Sequence, residues 1–179
     1  MSPGQTELEA ESWAFALAIY ARPGVAEACL TLQNDAGVDV MLLLMATFAA
    51  VRHRNLLTPV EIEALDEACR PWREQIVGRL RAIRMELKTG PKPAPGEATE
   101  PFRAKIKALE LEAEKLENRI LAECLPLKPP GQAQVGPEQL RAVLDNIIMH
   151  FAGKRDIRPD TRLSPSIEVI VEAAIQNAT

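Results

Sequence analysis

Residues 12–51 read SWAFALAIYARPGVAEACLTLQNDAGVDVMLLLMATFAAV, an almost uninterrupted apolar stretch. It contains no metal-ligand spacing, no phosphate-binding loop and no nucleophile motif, yet it holds many of the Leu, Met, Phe and Trp side chains that a core needs. Its last part, VMLLLMATFAAV, is apolar nearly all round. A helix of that kind belongs in the middle of a bundle, so this stretch predicts the centre of a helical fold.

Local signals divide the stretch into three helices. Thr6 with Glu9 forms a capping box that predicts the start of the first helix near Glu7. Pro23 disfavours helical geometry at the residue before it, so we expect the first helix to end there and Pro23 to open the second. Gly37 is expected to end the second helix in a left-handed conformation, and Asp39 to cap the third.

The same region carries a longer pattern, W-x-F-x-L-x-x-Y-x-x-P-G-V-x-x-A-C-L-x-L-Q followed by G-x-D-V-x-L-L-L, and Trp72 to Lys88 reads WREQIVGRLRAIRMELK. Together these segments resemble a family of short proteobacterial proteins with no assigned activity. The similarity covers about half of the chain and fades after Lys88. The resemblance implies a bacterial protein and supplies no catalytic residue. The residues of the first pattern are Trp13, Phe15, Leu17, Tyr20, Pro23, Gly24, Val25, Ala28, Cys29, Leu30, Leu32, Gln33, Gly37, Asp39, Val40 and Leu42 to Leu44.

Composition indicates one soluble globular domain spanning residues 1–179, with 47% hydrophobic and 26% charged residues. The net charge of -4 disfavours general binding to nucleic acid or anionic lipid. Three widely spaced cysteines form neither a disulfide framework nor a zinc pattern, which favours the reducing cytoplasm. The acidic N-terminus is unlike a signal peptide, and the longest apolar run is too short to span a bilayer, so we expect no integral membrane protein.

The second half of the chain also reads as helical. Thr58-Pro59-Val60-Glu61 is the clearest helix start, and Pro71 should kink or break that helix near Arg70. Residues 89–100 form a proline-glycine linker between two helices at about 72–88 and 101–123. Apolar spacings of three and four predict that these two pack as a coiled-coil-like antiparallel hairpin, with Leu80 and Leu109 buried in the seam.

Two further loops are expected, at residues 126–136 and 153–164, each followed by another amphipathic helix. No strand-like alternation and no internal repeat occurs in the sequence. The fold class predicted is therefore all-α, a bundle of about seven helices.

A row of cationic residues is the strongest polar pattern, with six cationic and two acidic side chains between residues 70 and 88. One interpretation is a site for a phosphate-bearing ligand, a lipid headgroup or an acidic protein. The other is structural: cations suit the end of a helix, and glutamates at 110, 112, 114 and 117 could pair with them. The candidate anion- or partner-binding residues are Arg70, Arg73, Arg81, Arg84 and Lys88.

Other candidate sites are weaker. The pairs Asp35/Asp39 and Asp156/Asp160 have the spacing of magnesium ligands, but Gly37 and Pro159 interrupt them, so caps and turns explain them better. His150 is expected to be packed with one hydrogen bond, and His53 to sit at a helix end. The three cysteines, Cys29, Cys69 and Cys124, are expected to be buried. Six large side chains are expected to be core, with a cavity for an apolar ligand as the alternative: Trp13, Phe15, Tyr20, Met41, Met45 and Phe48.

These observations favour a non-enzymatic interaction or adaptor module that uses its basic helix face to bind an acidic protein partner. No catalytic residue, cofactor or metal site is predicted. The alternative is a helical enzyme or carrier acting on a phosphate- or diphosphate-bearing, lipid-like ligand. The sequence leaves the oligomeric state open, a homo-oligomer included.

Overall fold

A computed structural model describes residues 3–129, 134–154 and 163–177. Over those ranges every regular element is helical, so the protein is all-α, as predicted. A π-helical segment, Arg73–Val77, joins α4 to α5 without a break, and counting the three as one gives seven helices. The α-helices are α1 Pro3–Tyr20, α2 Val25–Ala36, α3 Val40–His53, α4 Pro59–Trp72, α5 Gly78–Thr89, α6 Glu100–Cys124, α7 Pro137–Lys154 and α8 Ser164–Gln176.

Helix α3 is the centre of the bundle. Every residue from Met41 to Ala50 is buried, and the helix packs against α1, α6, α7 and α8. Asp39 caps it as predicted, since the Asp39 carboxylate accepts hydrogen bonds from the backbone N–H groups of Met41 and Leu42, at 2.9 and 3.4 Å. The near-uniform apolar character of VMLLLMATFAAV therefore reports a helix that is surrounded on all sides.

Helices α1 and α2 differ from the predicted boundaries. Helix α1 begins at Pro3 and ends at Tyr20, so the proposed capping box at Thr6 lies inside it. Helix α2 begins at Val25, because Gly24 takes up the turn with a φ of 80° that side chains other than glycine tolerate poorly. Gly37 ends α2 in the predicted left-handed conformation, with a φ of 70°. Within the described ranges no single helix could cross a membrane; the segments 4–20 and 25–36 reach the required length and hydropathy together, but they meet at 99°.

Helix α4 starts at the predicted capping box. The Thr58 hydroxyl accepts a hydrogen bond from the Glu61 N–H, and the Glu61 carboxylate accepts one from the Thr58 N–H at 2.8 Å. The break predicted at Pro71 is absent, since the helix continues through it and widens into the π-helical segment two residues later. Pro71 has no backbone N–H to donate, so one hydrogen bond of the helix is not made. The π-helical segment that follows has a wider turn, with hydrogen bonds between residues i and i+5.

Helices α5 and α6 form a hairpin, but its seam differs from the prediction. Leu80 is only partly buried, and Leu109 is 48% exposed. The buried residues of α6 include Ile106, Glu110 and Ala113, and arginines from α5 reach across to this face. The apolar repeat of α6 therefore marks its packed face only in part: Ile106 and Ala113 are buried, whereas Leu109 is not.

Helices α7 and α8 cover the opposite side of the core. Leu140, Leu144 and Ile147 of α7 are fully buried, and α8 packs against α2 and α7. Of the expected loops, residues 130–133 and 155–162 lie outside the described residues, and with them the pair Asp156/Asp160. Residues 126–129 and 134–136 lie between α6 and α7, whereas residues 153–154, predicted as loop, belong to the last turn of α7, and Ser164 begins α8.

Candidate functional site

A large cleft lies between the α5–α6 hairpin and the N-terminal helices, with a volume of about 1010 Å³. One wall is mainly apolar and includes large side chains that are partly open to water. Two of the six residues weighed between core and cavity, Phe15 and Phe48, pack in the core, where their ring centroids are 5.6 Å apart. Met45 also lies in the core, whereas the other three line the cleft. The apolar wall comprises Trp13, Ala16, Leu17, Tyr20, Leu30, Val38, Val40, Met41, Leu44, Ala108, Leu111 and Phe151.

The charged part of the lining, the charged wall, includes Arg81 and Arg84 of α5, each bound to carboxylates of α6. Arg81 donates to Glu110 at 2.8 Å and to Glu114 at 2.7 Å. Arg84 donates to both oxygens of Glu110, with one bond of 3.1 Å. Burial opposes ionisation of Glu110, but hydrogen bonds from Arg84 and Arg81 outweigh it and lower the pKa of this carboxyl. Lys88, in contrast, is exposed and forms no ion pair with any described residue.

Arg73, the first residue of the π-helical segment, reaches two carboxylates at the floor of the cleft. Its guanidinium donates to Asp39 at 2.8 Å and to Asp66 at 2.6 Å, and its side chain is 19% exposed. Burial works against the charged form, but the two aspartates outweigh it and raise the pKa of Arg73. The adjacent Trp72 fixes this segment, because its indole N–H donates to the Ala113 carbonyl of α6 at 2.9 Å.

Asp66 is fully buried and collects four cationic or titratable partners. Besides Arg73 it accepts hydrogen bonds from Arg70 at 3.1 Å and from Lys154, and it lies 2.9 Å from His150 Nε2. Burial raises the pKa of Asp66, but hydrogen bonds from Lys154 and His150 and the charge of Arg73 outweigh it and hold the pKa well below its usual range. Asp66 therefore remains a carboxylate at neutral pH.

A second buried group adjoins it and contains Asp39, Cys69 and Glu117. The Cys69 thiol lies 3.7 Å from the Asp39 carboxylate, and Glu117 is 1% exposed. Burial and the neighbouring Asp39 carboxylate raise the pKa of Glu117 to about 9. Burial and the surrounding carboxylates also raise the pKa of the Cys69 thiol. Both groups are therefore protonated at neutral pH, whereas Asp39 carries the charge that Arg73 balances.

The predicted arginine row thus falls into two groups rather than one open surface. Arg70 and Arg73 belong to the floor, Arg81 and Arg84 to the wall, and Lys88 lies outside both. Of the glutamates expected to pair with the cations, Glu110 and Glu114 do so, whereas Glu117 lies beside Asp39 and Cys69 instead. The role of Asp66 as a partner of the arginines was missed, because in the sequence it is one of several acidic residues in the first half of α4.

The remaining candidates have separate surroundings. His150 has the predicted hydrogen bond, with Asp66 as its partner. His53 lies in the last turn of α3, as predicted, with its ring 4.9 Å from that of Phe48. Cys29 and Cys69 are buried, but Cys124 is exposed, because α6 ends at it. The prediction for Cys124 is therefore wrong.

Taken together, these features define an all-α protein with an amphipathic cleft, lined by both apolar and charged side chains. The chain belongs to the DUF2390 family, described as proteins of unknown function, which it matches over residues 11–121. The match extends beyond Lys88 and includes the lining of the cleft except Phe151 and Lys154. No curated protein and no solved structure is significantly similar to the chain.

Proposed function

We propose that this protein is a non-enzymatic binding protein whose cleft holds an anionic amphiphile. The observation that carries the proposal is that the same cleft is lined by many apolar side chains and by arginines. A ligand with an apolar chain and an anionic head would match both walls at once. Small-molecule sites in proteins have a similar composition, with a mainly apolar lining and a few polar groups, in pockets of about 300–1,000 Å³.

The apolar wall supports an apolar ligand body. Leu17, Leu30 and Leu111 are each close to half exposed, and all three face the same cleft. Apolar surface gathered in one concave place gains free energy when a ligand removes it from water, by about 25 cal/mol per Å². Exposed leucines scattered over the surface would not indicate a binding site, whereas these three line one cleft.

The charged wall supports an anionic head. Six cationic and five acidic side chains line the cleft, and one of the five, Glu117, is protonated at neutral pH. The lining therefore carries an excess of positive charge. Arginine binds phosphate and carboxylate through two parallel N–H donors, so a head entering between Arg81 and Arg84 could share their donors with the glutamates.

The test uses three dodecyl compounds below their micellar concentrations: dodecyl phosphate, dodecanol and dodecyltrimethylammonium. Dodecyl phosphate should raise the melting temperature in a saturable way, dodecanol less, and the ammonium compound not at all. Leu111→Asp should abolish the effect because it places a charge on the apolar wall. Leu109→Asp is the matched control, since Leu109 lies two residues away on the same helix and is equally exposed, but outside the cleft. Equal stabilisation by all three compounds, or equal loss in both variants, would refute the proposal.

A protein-interaction module is the second candidate, and a different surface favours it. Phe102, Leu109 and Leu116 of α6 are exposed at intervals of seven residues and lie outside the cleft. A stripe with this spacing suits packing against a partner helix. A stoichiometric partner recovered from extracts of the source organism by the wild type and by Leu111→Asp, but not by Leu109→Asp, would support this candidate. An acidic partner that contacts the arginines must enter the cleft. In that case the Leu111→Asp variant would no longer recover the partner.

A further inference from the structure

We propose that Asp39, Cys69 and Glu117 form a binding site for a divalent transition-metal ion, of which zinc suits their chemistry best. The three residues come from the cap of α3, from α4 and from α6, far apart in sequence. Each offers one ligand atom, and these atoms lie within 4.8 Å of one another. The proposal does not depend on the amphiphile.

The spacing of the ligand atoms fits a tetrahedral ion. Zinc binds sulfur at about 2.3 Å and carboxylate oxygen at about 2.0–2.2 Å, so sulfur and oxygen on one ion are about 3.5 Å apart. The distance from Cys69 Sγ to Asp39 Oδ2 is 3.7 Å. The ligand atoms therefore need to close by only about 1 Å to reach such a geometry.

Glu117 provides an independent indication. It is 1% exposed, and its Oε1 atom has no hydrogen-bond partner. A buried polar atom without a partner costs about 1–3 kcal/mol, so such atoms are rare unless a bound group satisfies them. A metal ion between Glu117 and Cys69 would supply that missing partner.

The donor set and its access select the class of ion. A thiolate with two carboxylates suits zinc or a similar transition metal, whereas magnesium and calcium prefer oxygen ligands alone. Asp39 and Glu117 both line the cleft, which gives the ion an entry path. Three protein ligands leave a fourth position for water or an anionic ligand, as in open zinc sites.

The charges balance in both states. Without metal, Asp39 is anionic beside the Arg73 guanidinium, and Glu117 and Cys69 are neutral. When a divalent ion binds, it displaces two protons, one from the Cys69 thiol and one from the Glu117 carboxyl, and both leave to solvent. The total charge is unchanged. The ion takes the place of the Arg73 Nη1 contact with Cys69 Sγ, which is 3.4 Å long, while Arg73 Nη2 stays hydrogen-bonded to Asp66.

The experiment titrates the full chain, first stripped with a chelator, with Co²⁺. We expect one Co²⁺ per chain, a thiolate-to-cobalt charge-transfer absorption, and displacement by one equivalent of Zn²⁺. Cys69→Ala should remove the absorption, and Glu117→Gln should weaken Co²⁺ binding by at least about 10–100-fold, the loss that follows even from changing an outer partner of a metal ligand. Cys29→Ser and Cys124→Ser are controls, because one thiol is buried outside the group and the other is exposed.

Far-ultraviolet circular dichroism establishes that each variant is folded. Should Cys69→Ala fail to fold, Glu117→Gln decides, since the amide keeps the shape of the side chain. The proposal is overturned by absence of a one-to-one cobalt complex, by absorption that survives in Cys69→Ala or vanishes in Cys124→Ser, or by unchanged affinity in Glu117→Gln. Unchanged affinity in Glu117→Gln would mean that Glu117 does not bind the ion and only shares a proton with Asp39.

Discussion

Replacing Asp66 with asparagine removes the negative charge that Arg70, Arg73 and Lys154 share where α4, the π-helical segment and α7 meet. Asp66 is fully buried, and the fixed charges around it belong to Arg70, Arg73 and Lys154. The side chains of Arg70 and Lys154 are 35% and 38% exposed, so water screens their part of the interaction. The Arg73 side chain is only 19% exposed, so its interaction with Asp66 contributes most of the stabilisation. Breaking a buried ion pair in this way typically costs about 3–5 kcal/mol of unfolding free energy.

Urea denaturation at pH 7 measures this loss. With a dependence of about 2 kcal/mol per molar urea, the midpoint should fall by about 1.5–2.5 M. Asp145→Asn is the matched control, because it removes the same charge from an exposed position on α7 and should change stability by less than about 0.5 kcal/mol. Equal midpoints for Asp66→Asn and Asp145→Asn would refute the reasoning.

The pH dependence gives a second test of the same residue. The pKa of Asp66 is lowered in the folded protein, so its contribution is fully present above the pKa of the unfolded chain, about 3.9. That contribution is lost as the pH falls from there toward the folded pKa. The stability difference between wild type and Asp66→Asn should therefore be constant near neutral pH and shrink below about pH 4. A difference that grows on acidification would contradict the assigned direction.

Three shorter predictions concern other parts of the molecule. Leu121→Ala should cost about 2–5 kcal/mol because it leaves a cavity, whereas Leu109→Ala should cost under about 1 kcal/mol, and thermal melting compares them. Cys124 should react with a thiol reagent in the folded protein, whereas Cys29, whose burial raises its pKa to about 12, should react only after unfolding; mass spectrometry of the labelled peptides checks this. Glu110→Gln should destabilise the protein at pH 7 by about 1–3 kcal/mol. Because the pKa of Glu110 is lowered in the folded protein, this loss of stability should shrink as the pH falls below the pKa of a glutamate in the unfolded chain, and urea midpoints measured at several pH values check this.

The parts of the fold that sequence predicts well are those fixed by neighbouring residues. The capping box at Thr58, the left-handed turn at Gly37 and the cap at Asp39 each depend on atoms within a few residues. The burial of α3 follows from its composition alone, because no arrangement of the helix hides so many apolar side chains except a central one. Helix content and order were accordingly predictable.

The site was not predictable in the same way, because it depends on contacts between distant segments. Arg73 meets Asp39 across 34 residues, and Lys154 meets Asp66 across 88. Nothing local distinguishes Asp66 from Asp145 on the surface, and the cap position of Asp39 does not reveal its contact with Arg73. The apolar repeat of α6 misled at Leu109 for a related reason: Glu110 occupies the packed face, where Arg81 and Arg84 of another helix pair with it.

Asp39 has a consequence for how binding in the cleft could be observed. The same carboxylate holds the first backbone amides of α3 through one oxygen and faces Arg73 and Cys69 through the other. An event at the cleft floor that shifts Asp39 also loosens or tightens the first turn of the most deeply buried helix. Hydrogen–deuterium exchange at the Met41 and Leu42 amides should therefore respond to a metal ion that binds Asp39 and contacts α3 only at its cap.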